Sequence, residues 1–165
     1  MNGKKLLTLS IVGAMIYKIV HSETQNLGMI DNPDSCPLAT KDLKTNTKNR
    51  NAAIRSKWIQ YGPLNLSDTA YWKRIAKHWN TTLDVALDSR CANCVAFDVS
   101  PRMLNCISAG PVSENIEDAD GILGYCWMHH FKCHSARSCY TWAAGGPITK
   151  DKISKQWSEK NKGVT

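Results

Sequence analysis

The sequence predicts a small, loop-rich α+β protein in which N-terminal helices lead into an irregular cysteine-rich domain. Three observations predict it. Helical periodicity is clear just before residue 91 and weak after it. Six of the seven cysteines fall between Cys91 and Cys139, about a third of the chain. Between and after them Gly110-Pro111, Gly121, Gly124 and Gly145-Gly146-Pro147 punctuate the chain, leaving room only for short strands or turns. A stretch of ~50 residues struggles to fold on its own apolar core, so cross-links must supply what burial cannot. The cysteines therefore answer to a metal, a cluster or disulfides.

Residues 1–22 open with Lys4 and Lys5 and run apolar through LLTLSIVGAMIY to Lys18. A basic start followed by a short apolar run has the form of a signal peptide, with Val20-His21-Ser22 a poor cleavage site. The run is shorter than the ~20 residues of a spanning helix. A membrane anchor and a helix docking in a partner's apolar groove are the other readings. Residues 23–51 are expected to form an extended polar arm or linker, with turn formers at Pro33, Asp34-Ser35 and Pro37 and a basic run KDLKTNTKNRN. Cys36 stands alone there, as a free or structural thiol. The arm has no interleaved aromatics, which argues against nucleic acid as its partner.

Residues 52–148 form the helical lead-in and the cysteine-rich domain. Ala52–Tyr61 is expected as a short helix, with Ile54, Trp58 and Tyr61 on one face and Gly62-Pro63 ending it. Ser67 and Asp68 are N-caps for a helix carrying Tyr71, Trp72, Ile75 and Trp79 at helical spacing. Thr81-Thr82-Leu83-Asp84 has the form of a capping box and opens a second helix, Thr82 to Asp88. That helix has no Arg or Lys to read bases, so core packing rather than DNA recognition explains the pair. Glu114–Asp120 reads as an exposed acidic loop. Residues 149–165 are a charged tail, helical if Ile153 and Trp157 share a face.

The net charge of +7 suits an acidic partner surface without choosing among protein, lipid and nucleic acid. Cys91-Ala92-Asn93-Cys94 can turn both sulfurs toward one centre, with backbone amides of the turn aimed at them. A second pair must come from Cys106, Cys126, Cys133 and Cys139, with His129, His130 and His134 nearby. An iron–sulfur cluster, a zinc site of Cys91 and Cys94 with Cys126 or Cys133 and His129 or His130, and two or three disulfides are all open on these spacings. A cubane also needs a dry pocket. Phe97, Tyr125, Trp127, Phe131, Tyr140 and Trp142 lie within a few residues of the thiols and are expected to shield it. No nucleophile, base and acid align into a hydrolytic site.

Cys-Ala-Asn-Cys, a later Gly124-Tyr125-Cys126, and Cys139-Tyr140-Thr141-Trp142 together resemble the high-potential iron–sulfur proteins over about Arg90 to Ala144. The resemblance implies a [4Fe–4S] cluster held by Cys91, Cys94, Cys126 and Cys139, one-electron transfer, and Trp142 as the buried tryptophan. Three features depart from that family. The Cys94–Cys126 stretch is longer, Trp127-Met128-His129 replaces a Phe-Pro-Gly-type turn, and Cys106 and Cys133 have no counterpart. These last two are expected as a disulfide, or one of them as the true third ligand. The stretch from about Tyr71 to Ile148 is also similar to uncharacterised cysteine-rich proteins of tailed phages of marine bacteria. That likeness implies a virion or assembly component with a structural cysteine site. The partners expected are accordingly proteins, either virion neighbours or a redox partner, with a membrane possible through residues 1–22. The location expected is a tailed-phage virion or, after export, the periplasm.

Overall fold

A computed structural model describes residues 36–64, 67–111 and 121–163. The apolar segment 1–22, the first part of the arm and the acidic loop Glu114–Asp120 lie outside the described residues. The described chain is α+β and loop-rich. Its helices are α1 (Leu38–Lys41), α2 (Leu43–Arg55), α3 (Thr69–His78), α4 (Leu83–Asp88), α5 (Pro101–Ser108) and α6 (Asp151–Lys160). One antiparallel sheet of β1 (Phe97–Asp98), β2 (Leu123–Cys126) and β3 (Phe131–His134) runs in the order β1-β2-β3. No described helix is long and apolar enough to cross a membrane.

The strand register divides the molecule. Phe97 pairs with Cys126, Cys126 with Phe131, and Gly124 with Cys133. Side chains alternate along a strand, so Phe97, Cys126, Phe131 and Cys133 share one face. Asp98, Tyr125 and Lys132, which pair across the strands in the same way, share the other. The first face packs with Ala53, Tyr61, Cys91, Cys94, Ala96 and Cys139. The second packs with Ala39, Met103, Cys106, Ile107, Trp127 and Ile148. Trp157 of α6 contacts both cores. A third core joins α3 to α4 through Tyr71, Trp72, Ile75 and Ala86, as their apolar spacing predicts.

Helix α3 begins at the expected cap, with the Asp68 carboxylate accepting from the Tyr71 amide at 3.0 Å. Thr82 caps α4 through the Val85 amide at 3.4 Å. Helix α5 is not anticipated by the sequence reading. Ser100 caps it, Pro101 occupies its first turn, and Met103, Cys106 and Ile107 are buried at three- and four-residue spacing.

Two expectations for the first half are corrected. The end of the polar arm is not extended: it is the first two turns of α2. Asp42 caps that helix, accepting from the Lys44 amide and the Thr45 hydroxyl, both at 2.8 Å. Its inner side grips the sheet with amide side chains. Asn46 accepts from the Lys132 amide at 2.7 Å, and Asn49 donates to the His130 carbonyl at 2.8 Å. The helix expected at Ala52–Tyr61 stops at Arg55. Trp58 is 84% exposed, and Ile54 is exposed too, whereas Tyr61 is buried from the loop that follows.

The cysteine pairing is corrected as well. Cys106 bonds to Cys36, across 70 residues, and not to Cys133. The disulfide fastens the start of α1 to α5 beside the second core. Their Cα atoms are 5.6 Å apart, within the span such a bond bridges. Cys133 lies on the opposite side of the sheet, so the alternation of β3 keeps it from Cys106.

Candidate metal centre

Cys91, Cys94, Cys126, Cys133 and Cys139 are unpaired thiols. All of them line a single cavity of about 20 Å³. The four residues implied by the iron–sulfur resemblance are thus brought together, and Cys133 joins them. Phe97 and Trp142, two of the expected shielding side chains, line the cavity. Tyr125 and Trp127 do not. They belong to the second core, where Trp127 Nε1 donates to the Asp98 carboxylate at 2.8 Å. Strand alternation explains the correction, since Tyr125 is next to Cys126 in sequence and therefore on the other face. Tyr61, Ala96, Met128, His129, Phe131 and Thr141 complete the lining. Of these Tyr61 and Thr141 carried no sequence signal beyond their nearness to aromatic or cysteine positions.

Local turns set each sulfur. Cys91–Asn93 is a single 3₁₀ turn closed by the Cys94 amide on the Cys91 carbonyl at 3.0 Å. The Cys91 amide donates to Arg137 and that of Ala92 to Ser135, fixing the turn to the chain after β3. Trp142 holds it from the other side, with Nε1 donating to the Arg90 carbonyl at 2.8 Å and to Asn93 Oδ1 at 3.0 Å. Gly146 runs against this turn so closely that a Cβ would come within 1.7 Å of the Cys94 carbonyl oxygen. Gly124 serves the cavity similarly, since a Cβ there would strike the Phe97 ring at 2.5 Å. The β2–β3 turn carries His130 at a φ of 55°. The bond from Asn49 to its carbonyl fastens that uncommon left-handed conformation.

The sulfurs are met by hydrogen-bond donors. The amides of Ala96 and Ala143 point at Cys94, and those of Met128 and His129 at Cys126. Cys139 receives the Thr141 amide, and the Thr141 hydroxyl lies 3.3 Å from its sulfur. Thr141 is held in turn by His129 Nε2 at 2.6 Å. The Cys133 thiol differs: its hydrogen bonds are to the thiols of Cys126 and Cys91.

Charge in this enclosure is governed by burial against those donors. Burial pushes the Cys94 thiol up, with the two amides opposing it. It pushes Cys139 up to about 12. Cys133 is raised well above an ordinary thiol, by burial first and then by the two neighbouring thiols. Cys126 alone moves down, chiefly because Cys133 donates to it, with the two amides helping. His129 is lowered by burial and by His130, so it favours the neutral ring. Several adjacent thiolates cannot coexist in such a place unless cations neutralise them.

The donor set tests what the cavity can hold. Among the described residues, no three His, Cys, Asp or Glu side chains converge as ligands of a single metal ion. Of the two histidines expected as zinc ligands, His129 is engaged with the Thr141 hydroxyl at 2.6 Å, and His130 does not line the cavity. Sulfurs spread around an apolar wall, with amides aimed at them, fit the needs of a polynuclear cluster. A cavity of this size takes about one water, so a cubane would enter only with the thiols turned aside. No protein family, curated protein or solved structure matches the chain.

Proposed function

We propose that this protein binds one [4Fe–4S] cluster through Cys91, Cys94, Cys126 and Cys139 and carries single electrons on it. The observation that carries the reading is the set of amides aimed at Cys94, Cys126 and Cys139. A neutral thiol asks little of such donors, whereas a thiolate on iron is stabilised by them. Hydrogen bonds to sulfur also set a cluster's potential. The cluster would supply a reversible one-electron couple. The chain's own residues would do the rest. Tyr61, Phe97, Phe131 and Trp142 exclude water, and Trp142 holds the Cys91–Cys94 turn. Met128, exposed at the rim, marks the side nearest solvent. A redox protein is the partner that reading calls for.

A second reading has its own observation. The proposed ligands come from three separate segments, and a disulfide ties the start of α1 to α5 beside the second core. A virion or assembly protein whose cluster or zinc serves only as a cross-link would use the same sites. A disulfide in the same chain suits an exported or virion location. Iron and acid-labile sulfide analysis of anaerobically purified protein, with its visible spectrum, tests the cluster. Colourless protein carrying zinc would end the iron–sulfur proposal. Voltammetry then separates the two roles, because a carrier gives a reversible wave and a cross-link gives none in the accessible range.

A further inference from the structure

Cys133 is unexplained by a four-thiolate site. It is buried, it faces the cavity from β3, and it has no counterpart in the iron–sulfur family that the sequence resembles. Its position is specific. Opposite Gly124 in the register, it sits two residues along β3 from Phe131, the partner of Cys126. Its thiol hydrogen-bonds to those of Cys126 and Cys91. A sulfur in contact with two ligand sulfurs needs only a side-chain rotation to stand near where either stands.

We propose that Cys133 is a reserve iron ligand, able to replace Cys126 or Cys91 but not Cys94 or Cys139. This inference rests on the cluster-binding reading. Replacement forms one bond from iron to Cys133 Sγ in place of the missing one. The thiol proton leaves to water, and no oxidation state changes. The β3 strand favours the exchange because its backbone is held by β2 on one edge and by Asn46 on the Lys132 amide. Rotation at Cys133 therefore disturbs no main-chain bond.

The test compares iron and sulfide content after anaerobic reconstitution of the full chain with ferrous iron and sulfide. Wild type and Cys133→Ser should load fully. Cys126→Ser should retain at least about half the wild-type iron, with a changed visible spectrum, and Cys126→Ser/Cys133→Ser less than about a tenth. Cys139→Ser should load no better than that double variant. Cys91→Ser, with and without Cys133→Ser, repeats the question through the other neighbour, and circular dichroism reports folding of each. The inference is overturned if Cys126→Ser and Cys91→Ser both load as poorly as their doubles while wild type loads. A wild type that takes up no iron and sulfide overturns the cluster reading itself, and this inference with it.

Discussion

The two faces of the three-stranded sheet are built from the same strands by opposite means. The face bearing Tyr125 is filled: Met103 and Ile107 of α5, Trp127 and Ile148 close it, and the Cys36–Cys106 disulfide clasps its edge. The face bearing Cys126 is walled by sulfur and aromatic rings around a cavity, and the Cys133 thiol hydrogen-bonds to those of Cys126 and Cys91. The filled face is stabilised mainly by burial, at about 25 cal/mol per Å² of apolar surface, with the disulfide added at its edge. A face of clustered thiols has less of that, and under the proposed cluster binding it would draw stability from its ligand. The difference shows that a residue two positions along a strand shares an environment, whereas the adjacent residue does not.

The comparison breaks most sharply at Cys139. Cys139→Ser removes a sulfur outside the hydrogen bonds that tie Cys133 to Cys126 and Cys91, so the proposed cluster should be lost entirely. If the bound cluster holds the face together, thermal unfolding should fall by roughly 10 °C or more, equivalent to at least about 3 kcal/mol. Bleached protein with an unchanged midpoint would show that the thiol face stands without its ligand. The filled face should answer differently. Met103→Ala deletes a wholly buried side chain and should cost about 2–5 kcal/mol by denaturant titration. Its iron content per folded chain should match wild type. A Met103→Ala protein that folds but loads poorly would mean that the two faces are not independent.

These contrasts also explain what was legible in the sequence. Cys91, Cys94, Cys126 and Cys139 could be read because thiols are scarce and a C-x-x-C turn is a local device. Helices α3 and α4 could be read because Tyr71, Trp72 and Ile75 repeat their apolar spacing. The end of the arm was misread because α2 faces the sheet with Asn46, Asn49 and Ala53, a periodicity of amides that a hydrophobic pattern does not register. Tyr125 and Trp127 were assigned to the thiols on nearness in sequence, although period-two alternation within a Gly124–Cys126 strand already puts Tyr125 opposite. Trp58 shares a face with Ile54 and Tyr61 only in a helix that continues past Arg55, and the helix ends there. The partner of Cys36 could not be read at all, since it depends on how α1 and α5 meet. Cys133 was visible as a cysteine, but its contact with Cys126 and Cys91 depends on how the β2–β3 hairpin meets the Cys91–Asn93 turn.

The disulfide offers a smaller and cleaner separation of the faces. Cys36→Ser should cost about 2–4 kcal/mol, toward the upper part of that range because the bond closes a long loop. Iron and sulfide content should be unchanged, since neither Cys36 nor Cys106 lines the cavity. A Cys36→Ser protein that came out without its cluster would show that the clasp on one face shapes the sulfurs on the other.

The finest probe is Thr141→Val, which keeps the shape and removes one hydroxyl. Thr141 sits between His129 Nε2 and the Cys139 sulfur, so both lose a partner while every ligand remains. A hydrogen bond of this kind contributes about 0.5–1.5 kcal/mol to stability, and the midpoint should move by only a few degrees. Iron content should hold. The reduction potential should fall, because a donor to a cluster sulfur stabilises the more negative, reduced state and its removal withdraws that help. The amide of Thr141 still reaches Cys139, so the fall should be a fraction of what losing both donors would give. Square-wave voltammetry of the two proteins side by side measures it. An unchanged potential would mean that the hydroxyl serves His129 alone and that the amides, not the side chains, set the charge on sulfur.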